Sequence, residues 1–159
     1  MDLDTQIQTL INDAPQDGIT PSIVAAIAPG LKLLAHKLRH LQYFILQSLE
    51  HDWVVTTLSN RDDPELEKQV IYAFPTLQDV AAGYGTQIDP QAIALSIPVM
   101  HILFQLTALE GVDSLVFFES PGDLSQGIEI RREDIQHLIQ IQLQKSSPDT
   151  SRFSPPDIA

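Results

Sequence analysis

PGLKLLAHKLRHLQYFILQSLE, residues 29–50, is the longest stretch of helical periodicity in the chain. Leu31, Leu34, Leu38, Leu41 and Ile45 follow the three-and-four spacing of an apolar seam. Leu33, Phe44, Leu46 and Leu49 widen the seam into a broad face, which predicts a core helix rather than a narrow coiled coil. Pro29 suits a first helical turn, where its missing N–H is not needed. Lys32, His36, Arg39, His40 and Tyr43 gather on the other side. Such a face is ordinarily a solvated one, but the stretch as a whole, with Lys37, holds three of the nine Lys and Arg residues of an acidic chain. Lys32, His36, Lys37, Arg39 and His40 are therefore the residues expected to meet a partner.

The chain has 159 residues, enough for one domain, and 43% hydrophobic content is enough for a core. A net charge of −12 argues against nucleic acid, whose phosphates call for clustered Lys and Arg, and against anionic lipid headgroups. Without cysteine there is no disulfide framework, thiolate nucleophile or cysteine metal site. The first residues, MDLDTQIQTLINDAP, put acids where a signal peptide needs positive charge, and no apolar run reaches the roughly 18 residues of a membrane span. The expectation is a soluble, cytoplasmic protein with no membrane span.

Outward from the central stretch, Leu3, Ile7, Leu10 and Ile11 predict a short amphipathic helix over 3–13. Thr20-Pro21 reads as an N-cap and first turn of a second short helix that ends at the Pro29-Gly30 break. Downstream, WVVTTL (53–58) and QVIYAF (69–74) read as strands paired in an antiparallel hairpin. Thr76 is placed to cap a helix running to Gly83. Asp89-Pro90 opens another helical region, and Pro98 forces a kink or a fresh start before the apolar run Val99–Leu109. SLVFF (114–118) suits a central strand, Gly127–Ile130 a short fourth one, and Arg131–Gln144 a terminal amphipathic helix. The domain plan is thus an N-terminal segment over 1–19, one globular domain over 20–145 and a disordered tail over 146–159.

Signals for catalysis are sparse. His36 and His40 stand four apart, as metal-binding imidazoles do, but their neighbours are Lys32 and Arg39 and no third ligand is supplied, so neither a metal nor any other cofactor is expected. His101, in an apolar run, reads as a hydrogen-bonded core histidine. Gly83-Tyr84-Gly85 follows a helical pattern instead of a strand, unlike a phosphate loop. The paired acids Asp62-Asp63 and Glu133-Asp134 are adjacent in sequence, which on a helix points them in different directions. Charge is unevenly spread: no Lys or Arg lies between Gln69 and Ile130, whereas Asp79, Asp89, Glu110, Asp113, Glu119, Asp123 and Glu129 do. That polarity suits either solubility or orientation of a protein partner.

The order of parts in the second half resembles the SseB-type domain, named for an enhanced-serine-sensitivity protein. A strand ending in Phe74-Pro75-Thr76-Leu77 leads into a helix, and Gly111-Val112-Asp113 precedes the strand Leu115-Val116-Phe117-Phe118. Gly127-Ile128-Glu129-Ile130 is then followed by Arg131, Glu133, Asp134 and Ile135 at the start of the last helix. The likeness covers about residues 53–144. It implies a small mixed sheet covered by helices and a non-catalytic role, and it supplies no catalytic residues.

These readings predict an α+β fold of about four strands, mostly antiparallel or mixed, packed with three to four helices and led by a long N-terminal helix. They predict a non-enzymatic interaction, assembly or regulatory module whose partner is another protein or a second copy of the chain. The competing expectation is an enzyme or small-molecule binder with a pocket near Gly83–Gly85 and His101.

Overall fold

The computed structural model describes residues 2–59, 62, 65, 67–84 and 91–146, without the side chains of 145 and 146. Within them the chain is α+β, with helices α1 (Leu3–Asp13), α2 (Thr20–Ala35), α3 (Leu77–Tyr84), α4 (Val99–Ala108) and α5 (Arg132–Ser146). The strands are β1 (Gln42–Gln47), β2 (Thr56–Ser59), β3 (Glu67–Ala73), β4 (Ile93–Pro98), β5 (Ser114–Ser120) and β6 (Asp123–Arg131). None of the described helices is long and apolar enough to cross a membrane.

Residues 29–50 are not one helix. Pro29 and Gly30 lie inside α2, which runs straight through the predicted break. An interior proline costs about 3 kcal/mol. Here its ring is on the exposed side, and burial of Ile27, Ala28 and Leu31 outweighs that cost. Gly30 earns its place by packing: a Cβ there would come within 2.9 Å of Gln142 on α5. The helix stops at Ala35, and QYFILQ becomes β1, paired antiparallel with β4 from Gln42↔Pro98 to Gln47↔Ile93. The aromatic and branched residues of that run favour an extended chain once a partner strand exists. The predicted seam therefore splits: Leu31, Leu38 and Ile45 are buried, while Leu33, Leu41 and Leu49 are exposed.

The main sheet has the order β2-β3-β5-β6, with β3 and β5 parallel and the other pairs antiparallel. The expected hairpin of β2 on β3 is present, though β2 begins at Thr56 and Trp53 makes only an isolated bridge to Gln47. β1 joins the end of β3 through paired hydrogen bonds between Phe44 and Phe74, 2.7 and 2.9 Å long. β5 is central, as its continuous apolar run requires. Alternation along β3 and β5 divides the core. Ile71, Ala73, Leu115 and Phe117 pack with α1, α2, α4 and α5; Phe74, Tyr72 and Phe118 join Val80 of α3 in a second cluster.

Ends of elements follow local chemistry. Asp17 accepts from the backbone N–H of Ile19 and Thr20 and from the Thr20 hydroxyl, so Asp17, and not Thr20, secures the start of α2. Thr76 caps α3, its hydroxyl accepting from the Asp79 N–H and donating to the Asp79 carboxylate. The second Asp79 oxygen accepts from Gly122 in the β5–β6 turn at 2.9 Å, where φ is +81°. Pro98 does force a fresh start, since α4 begins at Val99, but the helical region expected after Pro90 is instead strand β4. Asp63, Gly85, Asp89, Pro90 and all but the first residue of the predicted 146–159 tail lie outside the described residues.

Candidate functional site

The connection from α2 to β1, residues 36–41, carries most of the predicted basic residues. His36 is the C-cap of α2, and Lys37 and Leu38 bond back to the carbonyls of Leu34 and Ala35, both at 3.0 Å. That i→i−3 tightening is how helices close their last turn. Leu38 then drops into the core. The Leu41 carbonyl fixes the far end, accepting from Gln6 Nε2 and from the Val99 N–H, both at 2.9 Å. Gln6, itself buried, also accepts from the Met100 N–H at 2.9 Å. One α1 side chain thus ties the connection to the start of α4.

The middle of the connection is held by Glu119, a buried acid near the end of β5. One of its oxygens accepts from the Arg39 N–H at 2.6 Å, and the other from the Tyr43 hydroxyl at 2.7 Å. Tyr43 is fully buried, with its ring edge-on to Phe117 at 4.9 Å. Its hydroxyl also accepts, more weakly, from the His40 N–H at 3.3 Å. Burial, then the hydrogen bond and the charge of Glu119, push the Tyr43 phenol well above its usual range. His40 Nε2 lies 2.7 Å from the Glu119 carbonyl oxygen. A carbonyl can only accept, so the neutral ring carries its proton on Nε2.

Lys32, His36, Arg39 and His40 line one hollow of about 340 Å³, together with Asp2 and Asp4 of α1. Leu38 and the half-exposed Leu41 supply its apolar floor. Lys37 is exposed but outside this lining. The predicted set is therefore gathered, though across a helix end and a connection instead of along one helical face. That change also removes the helical i, i+4 relation of His36 and His40. Among the described residues no cluster of three His, Asp or Glu stands ready to hold a metal.

Charge bookkeeping within the hollow is uneven. Asp4 pairs with Lys32 at 2.6 Å. Asp2 is the N-cap of α1, and hydrogen bonds from Thr5 hold its carboxyl below the usual range. Both acids are thus engaged. His36 and Arg39 form no ion pair among the described residues; the Arg39 guanidinium reaches only the Ser120 hydroxyl, at 3.5 Å. In formal charge Asp2 and Asp4 match Lys32 and Arg39, and the Arg39 guanidinium is the cation without a carboxylate partner among the described residues.

A larger hollow of about 650 Å³ opens at the end of the main sheet, between Lys68, Asp113, Glu129, Arg131 and Arg132. Its cations are spoken for. Lys68 pairs with Glu129, holding that carboxyl below its usual range, and Arg131 pairs with Glu133. Arg132 donates to the Leu106 and Thr107 carbonyls at the end of α4. The alternative pocket near Gly83 and His101 is not formed by either hollow. A Cβ on Gly83 would sit 2.6 Å from the Phe74 ring, so this glycine makes room for that aromatic side chain. His101, expected in the core, is exposed, because α4 buries Met100, Ile102 and Leu103 and turns residue 101 outward.

The sequence placed Tyr43 on the solvated face and Glu119 among the surface acids; both are buried and bonded to each other instead. The signal for Glu119 was its period-two position after Leu115 and Phe117, which sets an acid on the core side of a strand. In the acidic span from 69 to 130, Asp79, Asp113, Glu119 and Asp123 each accept from a backbone N–H, and Glu129 pairs with Lys68. Compared with known proteins, the chain matches no protein-family model, and no curated protein matches it. What the site does has to be read from its side chains.

Proposed function

We propose that the chain is a non-enzymatic interaction module that holds an acidic segment of a partner protein over the hollow lined by Lys32, His36, Arg39 and His40. The supporting observation is the Arg39 guanidinium, which meets the Ser120 hydroxyl and no carboxylate among the described residues. Its backbone is fixed by Glu119, which limits the ordering cost of meeting a partner. Exposed Leu41 beside it offers apolar area that an aliphatic side chain can cover. A non-catalytic role is also what the likeness to SseB-type domains implies.

The test uses a fluorescent peptide of alternating aspartate and leucine, with binding read by anisotropy at low salt. Arg39→Glu should weaken binding by about tenfold, and Lys37→Glu by less, with the circular dichroism spectrum unchanged in both. Added salt should weaken the wild type in the same direction. Absence of binding, or binding indifferent to Arg39→Glu, would sink the proposal.

A further inference from the structure

We infer that a second copy of the chain pairs with the open edge of β4, antiparallel about a two-fold axis at Leu95. This edge is separate from the hollow, and the pairing does not rest on the acidic-segment reading above. The direction of the β1 backbone fixes which groups of β4 are open. Phe44 exchanges hydrogen bonds with Phe74, and the Leu46 carbonyl accepts from the Val54 N–H, so both residues turn away from β4. Tyr43, Ile45 and Gln47 therefore bond across to Ile97, Leu95 and Ile93. Alternation sends the N–H and C=O groups of Ala94 and Ser96 outward, where no further strand is paired among the described residues.

Open edges are ordinarily blunted by charge or by a covered donor. β6, at one edge of the main sheet, follows that rule. It carries Asp123, Glu129 and Arg131, and the Ser125 N–H bonds to the Asp123 carboxylate at 3.0 Å. β4 does not follow it. No Asp, Glu, Lys or Arg lies from Gln91 to Leu109, nor from Leu41 to Leu49, so the β1–β4 sheet is uncharged in a chain of net charge −12. Ile93 is 54% exposed, and Ser96 is exposed as well. An uncharged edge is where two like-charged chains can meet with the least repulsion.

What identifies the occupant is that the strand matches itself. With Leu95 on the axis, Ala94 faces the second copy's Ser96 and Ser96 its Ala94, so each outward N–H meets an outward C=O. Ile93, Leu95 and Ile97 share one face of the strand. Across the pair Leu95 meets Leu95 and the exposed Ile93 meets Ile97, an apolar row with no charge set against it. A two-stranded ribbon is marginal by itself, and the pairing makes it a sheet of four strands, β1-β4-β4-β1. Pro98 ends the ladder because it has no N–H to offer, so the interface is short and the dimer depends on concentration.

The test is mass by light scattering over a wide range of protein concentration, together with oxidative cross-linking. A concentration-dependent dimer is expected. Ile93→Lys should weaken it by about tenfold or more, by setting a charge on the edge. Added salt should tighten it, because screening removes repulsion between acidic chains and leaves uncharged contacts intact. The chain has no cysteine, so one introduced thiol can form a disulfide only with a second copy. Leu95→Cys should cross-link readily, since partners of this non-hydrogen-bonded kind place their Cα atoms about 4.5 Å apart. Ser96→Cys, out of register with its own copy, should not. Ile93→Lys alters an exposed side chain, so it tests the edge even where Leu95→Cys fails to fold by circular dichroism. A monomer at every concentration would overturn the pairing. So would a dimer that weakens with salt, ignores Ile93→Lys, or cross-links through Ser96→Cys as fast as through Leu95→Cys.

Discussion

Replacing Glu119 with alanine would remove the acceptor of two donors at once, the Arg39 N–H and the Tyr43 hydroxyl. Leaving buried donors unpaired is costly, so Glu119→Ala should lose roughly 2–4 kcal/mol in urea unfolding, against about 1–2 kcal/mol for Tyr43→Phe. The pair should be strongly non-additive, because both changes break the same hydrogen bond. A loss of under about 0.5 kcal/mol for Glu119→Ala would show that water replaces the carboxylate and that residues 39–43 are positioned otherwise. At this scale the site was partly legible. Lys32, His36, Arg39 and His40 were recognisable as basic residues close in sequence. Asp2 and Asp4, brought from α1 to the same hollow, carried no local signal, since only the packing of α1 against α2 puts them there.

Local chemistry decided some elements and long-range pairing decided others. β3, β5, the Thr76 cap and the Pro98 restart were readable because strand composition, turn residues and proline act over a few positions. Residues 29–50 were not, because a short apolar run satisfies helical and strand periods alike. What settles QYFILQ is β4, about fifty residues later in the chain. Two leucines that one helical seam would treat as equals now separate. Leu38 is 8% exposed and Leu41 46% exposed. Leu38→Ala should cost roughly 2–5 kcal/mol by leaving a cavity, and Leu41→Ala within about 0.5 kcal/mol, as for an ordinary surface change. Equal losses in thermal unfolding would mean that residues 29–50 behave as a continuous helix after all.

For the molecule as a whole, alkaline pH is the informative stress. Tyr84 is pushed up to about 12 by burial, and Tyr43 is raised further by burial and Glu119. Both phenols ionise later when folded than when unfolded, near an ordinary pKa of about 10. Their contribution is therefore complete below about pH 10 and is lost as pH climbs toward the folded values. Stability should fall along that stretch, and Tyr84→Phe should make the decline shallower; an unchanged slope would show that Tyr84 ionises freely in the native state. A different consequence follows from Gln6, which links residues 6, 41 and 100 through its two amide atoms. During synthesis the first helix leaves the ribosome long before Met100 exists, so Gln6 can complete its bonds only after about two thirds of the chain has been made. Until then Leu3 and its neighbours lack the α4 surface that buries them. The beginning of the chain is thus among the last parts to settle, and a nascent chain halted before α4 should leave its N-terminal helix open to proteases.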